Sequence, residues 1–165
     1  MIKAKKKYGQ NFLKDESVVL KIIESMPKND NKVVEIGPGL GDLTKQLVKY
    51  KDVRAYEVDR DLFSILRVEF INEIDSGRLE LVLTDVLEVW NQNSSLYEEK
   101  YDLIANLPYY IATNIILNAF SDNNCENIIV MVQKEVADKF TVTSGDSDFS
   151  ALGVISELLC LENKI

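Results

Sequence analysis

The chain reads as an α/β fold built on a mostly parallel, doubly wound sheet, and three observations lead there. Short apolar runs alternate with helical patterns from Val33 to Phe140. The first run, Val33 to Ile36, passes straight into three glycines on alternate positions, Gly37, Gly39 and Gly41, and then into a helical pattern. The second run, Val53 to Glu57, ends on a carboxylate 20 positions after Gly37. Strand, glycine turn and helix, followed by an acidic second strand end, make a nucleotide-binding βαβ unit.

Composition narrows the class. At 165 residues, 46% hydrophobic and 28% charged, the chain suits one soluble domain with a real core, spanning 1–165. It has no histidine, which excludes His-based nucleophile activation, His metal ligation and a His acid/base. Cys125 and Cys160 stand far apart in no metal-like spacing, so reduced buried thiols and no metal site are expected. Tyr8-Gly9-Gln10-Asn11 interrupts any signal-peptide core, and no apolar run approaches a membrane span. The expected location is therefore cytoplasmic. A net charge of −8 argues against a generic nucleic-acid-binding surface. Lys3, Lys5, Lys6 and Lys7 nevertheless crowd a basic arm over residues 1–14, which serves either to find phosphate or to solubilise.

Taken in order, Asp15 or Ser17 can cap a first helix with Val18, Val19, Ile22, Ile23 and Met26 as its buried stripe, closed by Pro27. After the first strand and glycine turn, Leu43, Leu47 and Val48 share a helix face. The second strand leads to Asp59, a cap for the helix whose core stripe is Leu62, Phe63, Leu66 and Phe70. A third strand, Leu79 to Leu83, runs into Thr84-Asp85-Val86. Trp90 to Lys100 is polar and reads as a loop or ragged helix. A fourth strand, Tyr101 to Ala105, delivers Asn106-Leu107-Pro108-Tyr109-Tyr110 and then a helix carrying Ile115, Ile116 and Ala119. The fifth strand, Ile128 to Val132, precedes an amphipathic helix, Gln133 to Phe140. Thr141 to Ser150 reads as a surface loop and Ala151 to Cys160 as a last apolar helix.

The candidate site lies at the strand ends. Gly37 and Gly39 let a ligand approach the backbone, because a side chain there would block it. A dinucleotide fingerprint needs a third glycine where this chain has Asp42, which favours a nucleoside cofactor without a pyrophosphate, such as S-adenosylmethionine. Glu57 is placed to accept bonds from both ribose hydroxyls, and as a strand-end carboxylate it should matter little to folding. Asp85 either accepts from an adenine amino group, with Val86 donating its backbone N–H, or caps the next helix. Asn106 to Tyr109 has the Asn-x-Pro-aromatic pattern suited to methylating an exocyclic amino group. Such a nitrogen is a poor nucleophile because its lone pair is delocalised into the ring. The Asn106 side-chain oxygen and a backbone carbonyl can accept both N–H bonds, Pro108 stiffens the turn, and Tyr109 offers a face to a base taken out of its stack. No strong general base is needed.

Lys6-Lys7-Tyr8-Gly9-Gln10-Asn11-Phe12-Leu13, Glu35-Ile36-Gly37-Pro38-Gly39-Leu40-Gly41, Asn106-Leu107-Pro108-Tyr109 and Gln133-Lys134-Glu135-Val136 follow one another along the chain. In that order they resemble the small-subunit ribosomal RNA adenine dimethyltransferases. The resemblance implies a Rossmann-like class I methyltransferase fold using S-adenosylmethionine. It also implies a role in ribosome biogenesis through N6-dimethylation of two adjacent adenosines near the 3′ end of small-subunit rRNA. It carries cofactor contacts onto Asn11, Leu13, Gly37, Glu57, Asp85 and Asn106, of which Asn11 and Leu13 come from the resemblance alone. Asn106, Leu107, Pro108 and Tyr109 would hold the target adenine. The family continues through two more strands, a loop whose phenylalanine faces Tyr109 across the adenine, and a helical domain, none of which follows here. The chain is thus expected to hold the cofactor half of the site, to methylate ribosomal subunits poorly by itself, and to act as a monomer. Competing readings are a large-subunit rRNA adenine methyltransferase, a non-catalytic ribosome-assembly factor, and an NAD-dependent oxidoreductase, the last disfavoured by Asp42.

Overall fold

A computed structural model describes residues 16–141 and Leu152. The basic arm with Asn11 and Leu13, the cap candidate Asp15, the stretch from 142 to 150 and, Leu152 apart, the final helix with Cys160 lie outside the described residues. The chain divides into two units, Met1–Met131 and Val132–Ile165.

In the first unit the elements run α1 (Glu16–Glu24), β1 (Lys32–Ile36), α2 (Thr44–Leu47), β2 (Val53–Glu57), α3 (Arg60–Glu69), α4 (Ile71–Asp75), β3 (Leu79–Leu83), α5 (Val86–Asn93), β4 (Tyr101–Asn106), α6 (Ala112–Ser121) and β5 (Cys125–Met131). The second unit contributes α7 (Lys134–Thr141). The five strands form one sheet in the order β3-β2-β1-β4-β5, with every pairing parallel. The connections walk outward from β1 to β3, then jump back to the other side of β1 for β4. That reversal opens a crevice at the carboxyl ends of β1 and β4, where open α/β sheets take their ligands.

Burial explains the alternation of apolar runs and amphipathic helices. Parallel strands covered on both faces are apolar throughout, and four of five residues in β1 and five of six in β4 are buried. One layer of the core joins Val19 and Ile22 of α1 to Val33, Leu47, Val53, Ala55, Leu66, Phe70 and Leu79, with Val18, Ile23 and Met26 packed around it. The stripe expected for the first helix is therefore the one that packs. Ile115, Ile116 and Ala119 of α6 are buried as expected, and Asp59 caps α3 by accepting from Asp61 N at 2.9 Å.

Three expectations change. Trp90 belongs to a regular helix, since α5 runs to Asn93 and ends on Ser94 in the left-handed region. The polar composition after Trp90 hid the helix before it. The fifth strand starts at Cys125, three residues before the apolar run, because Cys125 and Asn127 occupy ladder positions opposite Tyr101 and Asp102, with Glu126 at a register shift between them. Asn127 is polar for a reason: its amide donates at 2.7 Å to the Oδ1 of fully buried Asp102, which also receives the amides of Asn29 and Asn31 at 3.3 and 3.1 Å. The helix after the glycine turn is a single turn, yet Leu43, Leu47 and Val48 are all buried. Cys125 is a free thiol of intermediate exposure, and burial pushes its pKa up to about 12, so it is inert at neutral pH.

Candidate active site at the strand ends

Each loop at the carboxyl edge is held by one ladder bond beyond the end of its strand. Gly37 N donates to Tyr56 O at 2.9 Å, Thr84 N to Glu57 O at 3.0 Å and Leu107 N to Met131 O at 3.0 Å. The sheet thus sets the starting direction of the glycine turn, the Asp85 loop and the Asn106 loop alike.

The glycines of the turn have different jobs. Gly37 has φ +68°, and a Cβ there would meet only the Pro108 ring, 3.9 Å from Cγ and Cδ. The glycine turn and the Asn-x-Pro-aromatic turn are therefore immediate neighbours, although 71 positions separate Gly37 from Pro108 in the chain. Gly41 serves packing instead, since a Cβ would stand 2.5 Å from Phe70 Cε2. Spacing alone does not separate these two roles.

Glu57 closes the other side. Its Oε1 accepts from Asp59 N at 2.8 Å and its Oε2 from Gly39 N at 3.4 Å, with 4% of the residue exposed. Burial holds its pKa above the usual carboxylate range, against the opposing pull of the Asp59, Gly39 and Val58 amides. Glu57 is expected from the sequence to matter little to folding, yet these bonds tie the glycine turn to the end of β2. Asp85 takes the capping role, its Oδ1 accepting from Leu87 N at 2.9 Å at the start of α5, while remaining exposed at the crevice. Val86, which follows it, is buried.

The Asn106 turn is anchored at both ends. Leu107 is 5% exposed, and Ile111 N closes the turn on Pro108 O at 3.3 Å. Leu107 therefore contributes to the site through its backbone, its side chain acting as the plug that fixes the turn. Tyr109 and Tyr110 project outward, 50% and 46% exposed.

Sequence reasoning missed Glu35. It is 1% exposed and accepts from Thr44 Oγ1 at 2.7 Å, bracing the glycine turn from beneath. Burial, with Glu57 nearby, pushes its carboxyl up to about 8 despite the Thr44 bond. A lone acid inside the run Val33-Val34-Glu35-Ile36 was the available signal, since buried acids are rarely idle. Val58 and Leu83 were missed as well: these apolar residues at the ends of β2 and β3 are 41% and 40% exposed.

The structure thus brings Gly37, Gly39, Glu57, Asp85 and Asn106 to Tyr109 to one edge of the sheet, while Asn11 and Leu13 lie outside the described residues. Among the described residues, no group of three or more His, Cys, Asp or Glu could hold a metal ion, and no helix is long and apolar enough to cross a membrane.

Comparison with known proteins agrees with this arrangement. A family model described as ribosomal RNA adenine dimethylase matches residues 1–164. A ribosomal RNA small subunit methyltransferase A from Aliarcobacter butzleri is 64% identical over 99% of the chain, which spans 62% of that relative's length. Among solved structures, a dimethyladenosine transferase from Plasmodium falciparum has a TM-score of 0.76 at 26% identity, over 90% of this chain and 52% of that one. The 23S rRNA methyltransferase ErmE has a TM-score of 0.69 at 28% identity, over 79% of this chain and 51% of that one. The fold is the Rossmann-like α/β fold of the class I methyltransferases, and the chain belongs to the ribosomal RNA adenine dimethylase family.

Proposed function

We propose that this chain carries the cofactor site and the target-base turn of an S-adenosylmethionine-dependent rRNA adenine N6-dimethyltransferase. Its substrate is two adjacent adenosines near the 3′ end of small-subunit rRNA, and its role is in ribosome biogenesis in the cytoplasm. It acts as a monomer and without a metal. The observation that carries the reading is the proximity of Gly37 to Pro108, whose ring a Cβ at position 37 would meet at 3.9 Å, which sets the cofactor turn beside the base-holding turn. Transfer between two bound groups needs such juxtaposition, because positioning removes the entropic cost of bringing them together.

The residues fit the cofactor. Gly37 presents backbone with no side chain in the way, and Glu57 offers carboxylate oxygens at the end of β2 for ribose hydroxyls. Val58 and Leu83 supply apolar surface for a flat heterocycle beside Asp85, whose polar edge reads its amino group. Glu57, at the end of β2, is the acidic side chain nearest the glycine turn, its Oε2 accepting from Gly39 N. When bound, S-adenosylmethionine supplies an electrophilic methyl group. Asn106 and a backbone carbonyl of the turn accept the two N–H bonds of the adenine amino group, directing its lone pair, and Tyr109 stacks on the ring.

The large-subunit alternative shares this chemistry, as the likeness to ErmE illustrates, but 64% identity to a small-subunit enzyme favours the small-subunit substrate. Calorimetric titration with S-adenosylmethionine and with NAD tests the cofactor: binding of the first and not the second is expected. Transfer of labelled methyl groups to undermethylated small and large subunits tests the substrate, and labelling confined to the large subunit would overturn it.

A further inference from the structure

Tyr110 stands next to the base-holding turn and has no part in the chemistry described so far. Two consecutive tyrosines at half exposure are unusual on a surface, since each leaves a large apolar ring in water. They sit on a rigid support, with Leu107 plugged into the core and the turn closed by Ile111 N on Pro108 O. Their ring centroids are 6.0 Å apart and their planes meet at 78°. Nearly perpendicular rings cannot stack on the two faces of one base, nor can they share one face of it. A base lying flat on Tyr109 runs edge-on to Tyr110, whose half-exposed ring is oriented to receive a different planar group. In single-stranded RNA the nearest planar group is the neighbouring base, about one nucleotide along the strand, and aromatic rings are the usual platforms for such splayed bases.

We propose that Tyr110 is a second stacking platform, which takes the nucleobase adjacent to the one held by Asn106 to Tyr109. The inference rests on the reading of that turn as the base site and extends it from one nucleotide to two. Tyr110 then acts as a positioning residue. By holding the adjacent base out of its stack, it orients the strand so that the target amino group meets Asn106. It also makes the site prefer a dinucleotide step over an isolated base.

The test is equilibrium binding to the chain saturated with S-adenosylhomocysteine. The probes are the dinucleotide ApA and the two versions of it in which one residue is abasic. ApA is expected to bind about tenfold tighter than the better abasic version, the size of one stacked base. Tyr110→Leu should bring ApA down to the level of the abasic version that keeps only the target base, and leave the affinity of that version unchanged. Tyr110→Phe should keep the tenfold preference, and Tyr110→Trp should keep or increase it. These two variants preserve a ring, so they decide the matter even if the leucine variant folds poorly. The proposal is overturned if the ApA preference survives in Tyr110→Leu, if it is lost in Tyr110→Phe, or if the unsubstituted chain shows none. Failure of all three probes to bind instead removes the base site itself, and this inference with it.

Discussion

A Cβ at Gly37 would make van der Waals contact with the ring of Pro108 at 3.9 Å, so the cofactor turn and the base turn are neighbours. That contact and the positive φ of Gly37 have separable consequences. Gly37→Ala has room for its methyl but must hold a left-handed backbone, at a cost of about 1–2 kcal/mol. Gly41→Ala carries the same penalty and drives the methyl into Phe70, adding roughly 1–3 kcal/mol for overpacking. In urea unfolding, Gly41→Ala should therefore be the less stable of the two. Equal midpoints would mean that Phe70 moves aside freely.

Glu57→Ala should show two losses together. Cofactor affinity should fall by about 1.5–3 kcal/mol, the range for hydrogen bonds to a charged group. Stability should fall by about 1 kcal/mol or more, because the buried Asp59 amide loses its acceptor. Glu57→Gln, which keeps an acceptor, should recover most of the stability and little of the affinity. Titration calorimetry paired with denaturant unfolding reads both, and an alanine variant with unchanged cofactor binding would remove Glu57 from the ribose site.

Glu35 gives a signed pH dependence. Its carboxyl is raised to about 8 in the folded chain from 4.5, so the folded state holds a proton that the unfolded state releases. Its contribution is fully present below about 4.5 and is lost as the pH rises through about 8. Glu35→Gln keeps an acceptor for Thr44 and removes the titration. The variant should therefore lose less stability than the unsubstituted chain between pH 5 and pH 8.5. Parallel stability curves would show that Glu35 is charged throughout.

Asp122 is the prediction furthest from the site. Its Oδ2 accepts from Tyr101 Oη at 2.7 Å, Trp90 Nε1 at 2.9 Å and Leu96 N at 3.1 Å, and its Oδ1 accepts from Asn124 N. Burial pushes its pKa up, but the bonds from Tyr101 and Trp90 outweigh this and hold it below the ordinary value. Its contribution should accordingly be present at neutral pH and lost as the pH falls below the usual Asp value. Asp122→Ala strands several buried donors and should cost about 3 kcal/mol or more. Trp90 is the only tryptophan, so its fluorescence reports the loss directly during unfolding.

In a full-length version, Tyr109→Ala should leave cofactor affinity within error and sharply reduce methyl transfer, because the ring is half exposed and its turn is anchored by Leu107 and Ile111. Equal loss of binding and transfer would make Tyr109 a wall of the cofactor site.

Local pattern alone was enough for the sheet and for naming most of the residues that the sheet brings to its carboxyl edge. Apolar runs and 3.6-residue stripes are properties of neighbouring residues, and a strand ending in Glu57 after a glycine turn is a matter of counting. What depended on packing between distant positions was decided only by the tertiary structure. The polar start of β5 makes sense only once Asn127 meets the buried Asp102. Leu107 looked like a site side chain and is a core plug, because the side that a residue presents after a strand depends on the layer beneath it. The glycines at 37 and 41 carry the same letter, yet one faces Pro108 and the other Phe70. Glu35 in its apolar strand is explained only by Thr44, whose hydroxyl donates to its carboxyl, for a buried polar group is accounted for by its partner and the partner comes from another element of the fold.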